Sequence, residues 1–287
     1  MCAIISRKDS PFLLIIFRGN MIDVNSMLMW QRFNAYNFVE KTHQYFYYDK
    51  PVKYSVTQFL SRFSPPFDSE GISKKYAEKH KLLQQDVLDE WKRKGDISTT
   101  AGTIIHSYME NAKRGKTFEI DYSVADSLGI RKEVEERVSI LLPQAEAFHK
   151  DTLNKLFPLQ LEYTVGIEHY IAGNIDMVCW NARANEFQIW DYKNVKSINQ
   201  TPGYFDKWCY KPFNRERDTN YIHYSMQLYT YKEILERTLP IKIGGCYLVQ
   251  FSSEKSNNGF EIFPCRNLQR ECADALDSLI REEKLHE

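Results

Sequence analysis

Residues 173–196 read GNIDMVCWNARANEFQIWDYKNVK, and this stretch predicts a β-hairpin. Its two segments, Ile175–Trp180 and Phe187–Val195, are rich in aromatic and β-branched residues, which favour strands. The residues between them, 181–186, are polar and turn-like, so the two strands are expected to pair antiparallel. The fold is therefore expected to be built around this hairpin.

Charged side chains on the predicted hairpin suggest a metal site. Side chains alternate between the two faces of a strand, so Asp191 and Lys193 project from one face and Tyr192 from the other. The hairpin can then place Asp176 beside Asp191. Neighbouring carboxylates repel each other unless a cation lies between them, and their oxygens suit Mg²⁺ or Mn²⁺. The alternative interpretation is an exposed ion pair between Asp191 and Lys193 at a strand end.

A histidine upstream is a candidate for a further metal ligand. The segment Thr99–Glu110 reads TTAGTIIHSYME, in which small residues precede a helical run. His106 and Glu110 are four residues apart and share one face of this predicted helix. His106 is therefore either a metal ligand or a packed histidine near the helix start with Glu110 as its ion partner.

A second helix is predicted downstream of the hairpin. The segment Tyr224–Leu235 reads YSMQLYTYKEIL and carries an apolar stripe, with Gln227 and Tyr231 one helical turn apart. Gln227 offers both a donor and an acceptor, so it could hold a substrate phosphate or brace Lys193. The alternative is an ordinary amphipathic helix of the core.

Two further elements are predicted near the C-terminus. Residues 243–251 and 259–263 predict a pair of strands around a polar turn. Residues 268–285 predict a closing amphipathic helix with apolar residues on one face.

These features occur along the chain in the order that defines a known nuclease family. They are a helical histidine (His106), a strand aspartate after a glycine (Asp176 in GNID), a D-x-K strand (Asp191–Lys193) and a helix with Q-x-x-x-Y (Gln227–Tyr231). With them the chain resembles the RecB-like branch of the PD-(D/E)xK nuclease superfamily. A further segment, Thr42–Phe63, is similar to the hairpin and "SVT" entry of phage-type members and of mitochondrial genome maintenance exonuclease-like members.

The resemblance implies an α/β fold with a restriction-endonuclease-like core, in which helices flank a central mixed β-sheet. It also implies a helical N-terminal lobe. We expect residues 1–41 to form a partly disordered N-terminal extension, and residues 42–287 to form a single nuclease domain with a helical insertion at about 73–155. Ile175 replaces the proline of the superfamily's name, a departure that is frequent in the RecB-like branch.

The implied activity is metal-dependent hydrolysis of DNA, with Mg²⁺ or Mn²⁺ as cofactor and single-stranded ends as the expected substrate of an exonuclease. The implied catalytic residues are Asp176, Asp191 and Lys193. The implied metal ligands are His106, Asp176, Asp191 and the backbone carbonyl of Tyr192, with Glu162 either a further ligand or a residue at the edge of the site. Gln227 and Tyr231 would position the nucleic acid.

Two other classes of function stay open from the sequence. The chain could keep the nuclease fold and bind nucleic acid without cleaving it, or it could be a structural phage or assembly protein. Retention of Asp176, Asp191, Lys193 and Gln227 favours the enzyme, because a decayed site has no need of a lysine beside two carboxylates. Protein partners in phage or host recombination and repair are not specified by the sequence.

The cysteines give no sign of a cluster. The chain has six, at positions 2, 179, 209, 246, 265 and 272, without any C-x-x-C spacing. We therefore expect no iron-sulfur cluster, although a set of Cys209, Cys246, Cys265 and Cys272 is conceivable. A zinc site lacks its sequence signature for the same reason. Free buried thiols in a reducing cytoplasm are expected.

The overall charge does not draw this protein to nucleic acid. The 287 residues include 38 basic and 38 acidic side chains, so the formal net charge is zero, and any contact with DNA must use a local surface. The segment Tyr204–Tyr224 interleaves aromatic and basic residues that could stack bases and track phosphates. Its candidates for substrate binding are Lys207, Trp208, Lys211 and Arg215. A packed connector or an oligomer surface is the alternative.

The termini predict no membrane contact. The apolar run Phe12–Phe17 is too short for a membrane span or a signal-peptide core, so we expect a cytoplasmic protein. Met21 could be the true start in place of Met1. At 43% hydrophobic and 14% aromatic residues, the chain has ample material for one buried core.

Overall fold

The structure is a computed structural model that describes residues 30–39, 42–202, 206–254 and 259–285, together with the backbone of strands at 4–5, 14–17 and 20–23. Its strands are β1 (Ile4–Ile5), β2 (Leu14–Phe17), β3 (Asn20–Asp23), β4 (Tyr36–Val39), β5 (Gln44–Tyr47), β6 (Lys50–Pro51), β7 (Tyr54–Ser55), β8 (Leu156–Ile167), β9 (Ile171–Asn181), β10 (Glu186–Asn194), β11 (Ile243–Phe251) and β12 (Glu261–Pro264). Its helices are α1 (Val56–Ser61), α2 (Ser69–His80), α3 (Gln84–Lys113), α4 (Ser123–Ser127), α5 (Arg131–Thr152), α6 (Asn220–Thr238) and α7 (Gln269–Lys284).

A mixed β-sheet forms the centre of the domain. Its strands follow the order β12-β11-β10-β9-β7, and β8 also pairs with β9. Strands β8 and β10 are antiparallel to β9, β11 is parallel to β10, and β12 is antiparallel to β11. The crossover from β10 to the parallel β11 runs through α6. The α/β class and the central mixed sheet flanked by helices are thus confirmed.

The hairpin predicted at residues 173–196 is confirmed as β9 and β10. Glu186 pairs with Asn181, and the ladder continues to Trp190 and Met177. The turn is held by Asn181, whose side-chain Oδ1 accepts hydrogen bonds from the backbone N–H groups of Arg183 and Ala184 at 3.0 Å each. An asparagine bonded to the backbone in this way favours a tight turn, which explains the polar break in the sequence.

Helices cover both faces of the sheet. On one face, α1, α6 and α7 pack against buried residues that include Val178, Ile189 and Leu248. On the other face, α3 and α5 pack against a second set that includes Met177 and Trp190. These two hydrophobic clusters together make a three-layer arrangement, which is a common way for an α/β domain to bury both faces of its sheet.

The helical segment expected at about 73–155 comprises α2 to α5, which span 69–152. The resemblance implied a helical lobe of the single domain at this position. Of its helices, α3 and α5 form one layer of the sandwich, with Ile105, Val138 and Phe148 buried against the sheet. α3 is also continuous from Gln84 and does not begin near Thr99 as the small residues suggested.

The described residues before Thr42 include part of the core. Trp30 and Phe33 are buried, and both rings contact the ring of Tyr163 edge-on, with centroids 5.7 Å apart in each pair. The core therefore begins upstream of the boundary expected at residue 42. Most of the predicted extension at 1–41, and its expected partial disorder, lies outside the described residues.

The remaining helix and strand predictions near the C-terminus are confirmed. The segment 224–235 lies within α6, and the closing amphipathic helix is α7. The strand pair expected at 243–251 and 259–263 corresponds to β11 and β12. Within the described part of the chain, no helix combines the length and the apolar character that a membrane crossing requires.

Candidate active site

The candidate site lies where the two strands of the hairpin separate. Regular pairing of β10 with β9 ends at Trp190 and Met177. Beyond this pair, the Asp176 carboxylate comes between the strands and accepts a hydrogen bond from the backbone N–H of Tyr192 at 2.7 Å. Further along β9, its neighbour is β7, which pairs with it through Tyr54 and Ser55. The sheet therefore has a gap between β9 and β10, and the Asp176 carboxylate lies in this gap.

The D-x-K pair is buried in this gap. Lys193 Nζ lies 2.6 Å from Asp191 Oδ2, and only 3% of Asp191 is exposed. The ammonium also donates to Gln227 Oε1 at 3.4 Å and lies 4.7 Å from the ring centroid of Tyr224. A buried pair with these neighbours differs from an exposed ion pair at a strand end, the alternative left open by the sequence.

Burial shapes the protonation of the two acids. Burial raises the pKa of Asp191 to about 6, although the Lys193 ammonium opposes the rise. Burial also raises the pKa of Asp176, and the Glu162 carboxylate adds to this rise while His106 opposes it. Burial lowers the pKa of Lys193, but Asp191 and Asp176 outweigh it and raise the net value. Burial is therefore the main cause of the raised pKa of both acids, and the Lys193 ammonium and the His106 imidazole offset it only in part.

His106 reaches the site from α3. Its Nε2 lies 3.0 Å from the Tyr192 carbonyl oxygen, and because that oxygen can only accept, Nε2 carries the proton. Its Nδ1 lies 3.5 Å from Asp176 Oδ2 and 3.8 Å from Glu162 Oε1. Glu110, the alternative ion partner, instead pairs with Arg114 at 2.8 Å. Burial lowers the pKa of His106, but the surrounding carboxylates raise it to about 9.

Glu162 lies on β8 directly opposite Asp176, between the paired residues Leu161 and Tyr163. Its backbone is left-handed, with φ of 47°, which is an uncommon conformation for a residue other than glycine. One ligand atom each from His106, Glu162 and Asp176 lies within 4.8 Å of the others. The structure therefore places Glu162 in the group that could hold a metal, and strain at such a position is typical of functional sites.

The donor set fits a divalent cation. Two carboxylates and one imidazole nitrogen suit Mg²⁺ or Mn²⁺, and burial disfavours the charged form of Asp176 and of Asp191, a cost that a bound cation would offset. Two of the predicted ligands have other partners. The Tyr192 carbonyl accepts a hydrogen bond from His106, which orients the imidazole, and Asp191 pairs with Lys193.

Gln227 and Tyr231 are positioned behind Lys193. Gln227 Nε2 donates to the Tyr231 hydroxyl at 3.1 Å while its oxygen accepts from Lys193. Tyr231 is buried, and its ring lies against Gly173, where an added Cβ would come within 2.7 Å of Cε1. Of the two roles that the sequence left open for Gln227, bracing of Lys193 is the one observed.

A cleft of about 240 Å³ opens onto these side chains. Its walls also include Tyr45, Ser55, Thr57 and Asn174, which were not selected from the sequence. Three of them lie in segments that the family resemblance touched: Tyr45, Ser55 and Thr57 belong to Thr42–Phe63. Asn174 follows Gly173 in the GNID motif, and its side chain accepts a hydrogen bond from Thr164 at 2.6 Å.

The aromatic and basic stretch lies outside this cleft. Lys207, Trp208, Lys211 and Arg215 are all exposed, and none of them lines it. The guanidinium of Arg217 lies 3.6 Å from the centroid of the Trp208 ring, so one face of that ring is already covered. Cys209 and Phe213 of the same stretch are buried in the core, so the stretch is packed at these positions while the four candidates stay exposed. Tyr204 and Phe205 lie outside the described residues.

No family model matches the sequence, and no curated protein matches it. Among solved structures, a protein described as SSO0001 is similar over 69% of this chain and 88% of its own length, with 12% sequence identity and a TM-score of 0.29. A likeness at that TM-score defines neither the fold nor the activity of this chain.

Proposed function

We propose that this protein is a metal-dependent deoxyribonuclease with the restriction-endonuclease-like fold of the RecB-like branch. The single observation that carries the proposal is the buried Asp191–Lys193 pair beside Asp176. A buried lysine held by a carboxylate, an amide oxygen and an aromatic ring has no evident structural need for its charge. Its ammonium lines the cleft, where a negatively charged substrate could reach it.

The metal would be held by Asp176, Glu162 and the Nδ1 atom of His106. When bound, Mg²⁺ or Mn²⁺ supplies a water of lowered pKa and polarises a phosphate oxygen. The His106 imidazole is kept in the required tautomer by the Tyr192 carbonyl, which leaves Nδ1 facing the carboxylates. Because a metal ligand must be unprotonated, Nδ1 would hold the ion in the neutral form of the imidazole.

Lys193 supplies a fixed positive charge to the reaction. Asp191 lies 2.6 Å from its ammonium and Gln227 lies 3.4 Å from it, so the charge needs little rearrangement to act. A preorganised cation can orient the attacking water and stabilise the negative charge that develops on the phosphorane-like transition state. Asp191 positions Lys193, and both residues line the cleft.

An extended strand is the proposed substrate. The central cleft adjoins two further depressions. One of them shares His106 and Asn174 with the cleft, and the other shares Thr57 and Gln227 with it. A single strand could therefore lie across the acidic centre from one side to the other. The preference for ends rests on the resemblance to exonucleases of the phage and mitochondrial types.

Labelled single- and double-stranded DNA and RNA, incubated with Mg²⁺, Mn²⁺ or EDTA, test this proposal. We expect cleavage of single-stranded DNA that EDTA abolishes and that Asp191→Asn removes, while the exposed control Asp151→Asn retains it. Binding of DNA by wild-type protein without metal-dependent cleavage would replace the proposal with the non-cleaving alternative. Cleavage of closed circular strands would contradict strict dependence on ends.

A further inference from the structure

A second group of potential metal ligands lies outside the acidic cleft. Cys209, Asp218 and His223 each offer one ligand atom, and the three atoms lie within 4.8 Å of one another. None of the three lines the cleft that contains Lys193. Their spacing along the chain does not group them, because it matches no zinc signature and Cys209 has no nearby cysteine in the chain.

The fold brings these residues together from a small hairpin and the helix that follows it. The backbone N–H of Cys209 donates to the Glu216 carbonyl at 3.1 Å, and that of Asp218 donates to the Lys207 carbonyl at 2.9 Å. Cys209 and Asp218 therefore sit on two paired segments, 207–209 and 216–218. His223 lies in the first turn of α6, where its N–H bonds to Thr219.

The side chains already contact one another. His223 Nε2 lies 2.7 Å from Asp218 Oδ1 and 3.0 Å from the Ser64 hydroxyl, while only 3% of Cys209 is exposed. Among the ion pairs between described residues, His223 is the partner of Asp218, and no lysine or arginine pairs with this carboxylate. The acid therefore has no permanent cation beside it.

The surroundings of the thiol argue against a cysteine nucleophile. Burial raises the pKa of Cys209 to about 11, and the carboxylates of Asp218 and Glu216 add to the rise. Nucleophilic cysteines sit in the opposite environment, next to positive charge that favours the thiolate. A thiol in an acidic surrounding ionises when a metal ion binds it.

We propose that Cys209, Asp218 and His223 bind a zinc ion, with the Ser64 hydroxyl or a water at the fourth position. A thiolate, an imidazole and a carboxylate are the donor types that zinc takes, whereas Mg²⁺ does not favour sulfur. At ordinary zinc bond lengths, tetrahedral ligand atoms lie about 3.3–3.8 Å apart. The ligand atoms already lie within 4.8 Å of one another, and the His223–Asp218 pair, now 2.7 Å apart, would open slightly as the ion enters.

The ion would stabilise one wall of the cleft. It would join the hairpin of 207–218 to the start of α6 and to Ser64, which follows α1. The same helix carries Tyr224 and Gln227, which contact Lys193. The zinc site is structural in this arrangement, and it does not rest on the proposed nuclease activity.

Titration of the full chain with Co²⁺, after removal of metals with a chelator, tests this site. We expect a cobalt–thiolate absorption band that saturates at one equivalent and that Zn²⁺ displaces. The band should vanish in Cys209→Ser and weaken at least tenfold in apparent affinity in His223→Gln. Cys265→Ser is the control and should keep the band, because Cys265 is a partly exposed thiol outside the group of three ligands.

Two further measurements make the result decisive. The variant Asp176→Asn should keep the cobalt band, which separates this site from the acidic cleft. Zn²⁺ should raise the Tm of wild-type protein and leave that of Cys209→Ala unchanged, which covers the case in which the serine variant folds poorly. Absence of a thiolate band in wild-type protein, or its survival in Cys209→Ser, would overturn the proposal.

Discussion

Replacing Gly173 by alanine should disturb the site through a single steric contact. The added Cβ would lie 2.7 Å from Cε1 and 2.8 Å from the hydroxyl oxygen of Tyr231. Carbon atoms in contact prefer about 3.5–4.0 Å, so the ring must retreat by about 1 Å. Tyr231 is buried, and overpacking a buried side chain costs about 1–3 kcal/mol. A cost of about 2 kcal/mol lowers Tm by about 4–8 °C in a domain of this size.

The effect on cleavage should exceed the effect on stability. Tyr231 accepts a hydrogen bond from Gln227 at 3.1 Å, and Gln227 in turn accepts one from Lys193. A displacement of about 1 Å at a positioned catalytic group can cost about 100-fold in rate. Single-turnover cleavage at saturating enzyme, measured well below the Tm of the variant, should therefore be about 100-fold slower for Gly173→Ala.

A second glycine provides the matched control. A Cβ added at Gly95, within α3, would meet no atom within 4 Å. Gly95→Ala should stabilise the protein by up to about 1 kcal/mol, because alanine favours the helix, and should leave the cleavage rate unchanged. If Gly173→Ala keeps both the wild-type Tm and the wild-type rate, then Tyr231 does not brace Lys193 through Gln227.

Three further changes have expected outcomes. Gln144→Leu should lower the free energy of unfolding in urea by about 2–4 kcal/mol, because it leaves the backbone N–H and C=O of Ser252 unpaired. The same change at the exposed Gln85 is the control and should leave the free energy of unfolding unchanged. Burial lowers the pKa of Lys113 to about 8, so wild-type stability should rise between about pH 8 and 10.5. Lys113→Met should raise the free energy of unfolding by about 2 kcal/mol at pH 7 and by less at pH 10. An equal increase at both pH values would contradict the lowered pKa of Lys113. Mn²⁺ should raise the Tm of wild-type protein but not that of Asp176→Asn, and an equal rise would exclude Asp176 as a ligand.

The sequence predicted those elements whose signals are local. The hairpin of β9 and β10 follows from two apolar segments and an asparagine-rich turn, and α6 and α7 follow from their apolar stripes. The same local pattern placed Asp191 and Lys193 on one face of a strand. Their contact with each other, and with Gln227 on α6, agrees with this expectation.

Features that depend on distant segments do not follow from local patterns, and Glu162 was named only through the family resemblance. Glu162 joins His106 and Asp176 only because β8 pairs with β9 in one register and because the backbone of Glu162 is left-handed. Alternation along β9 also changes at Asp176, since Ile175 and Met177 pack into different clusters although they are two residues apart. A prediction that assumes strict alternation of side chains along the strand misses this change of face.

Other departures arise where local signals were misleading. Small residues near Thr99 suggested a helix start, but Gly95 and Gly102 are accommodated inside α3, which packs against the sheet through its buried face. The grouping of Cys209 with His223 depends on a short irregular hairpin with no regular hydrophobic pattern. Packing across the sheet and irregular turns therefore account for most of what the sequence left unspecified.

The central claim is that the buried Lys193 ammonium takes part in metal-dependent cleavage. The most direct measurement is the single-turnover rate on end-labelled single-stranded DNA with Mn²⁺, for Lys193→Met and for Lys196→Met. Lys196 is an exposed lysine nearby in the chain, with 76% of its side chain accessible. We predict a loss of at least about 100-fold for Lys193→Met with circular dichroism unchanged, and a wild-type rate for Lys196→Met. A folded Lys193→Met protein that cleaves at the wild-type rate would contradict the account.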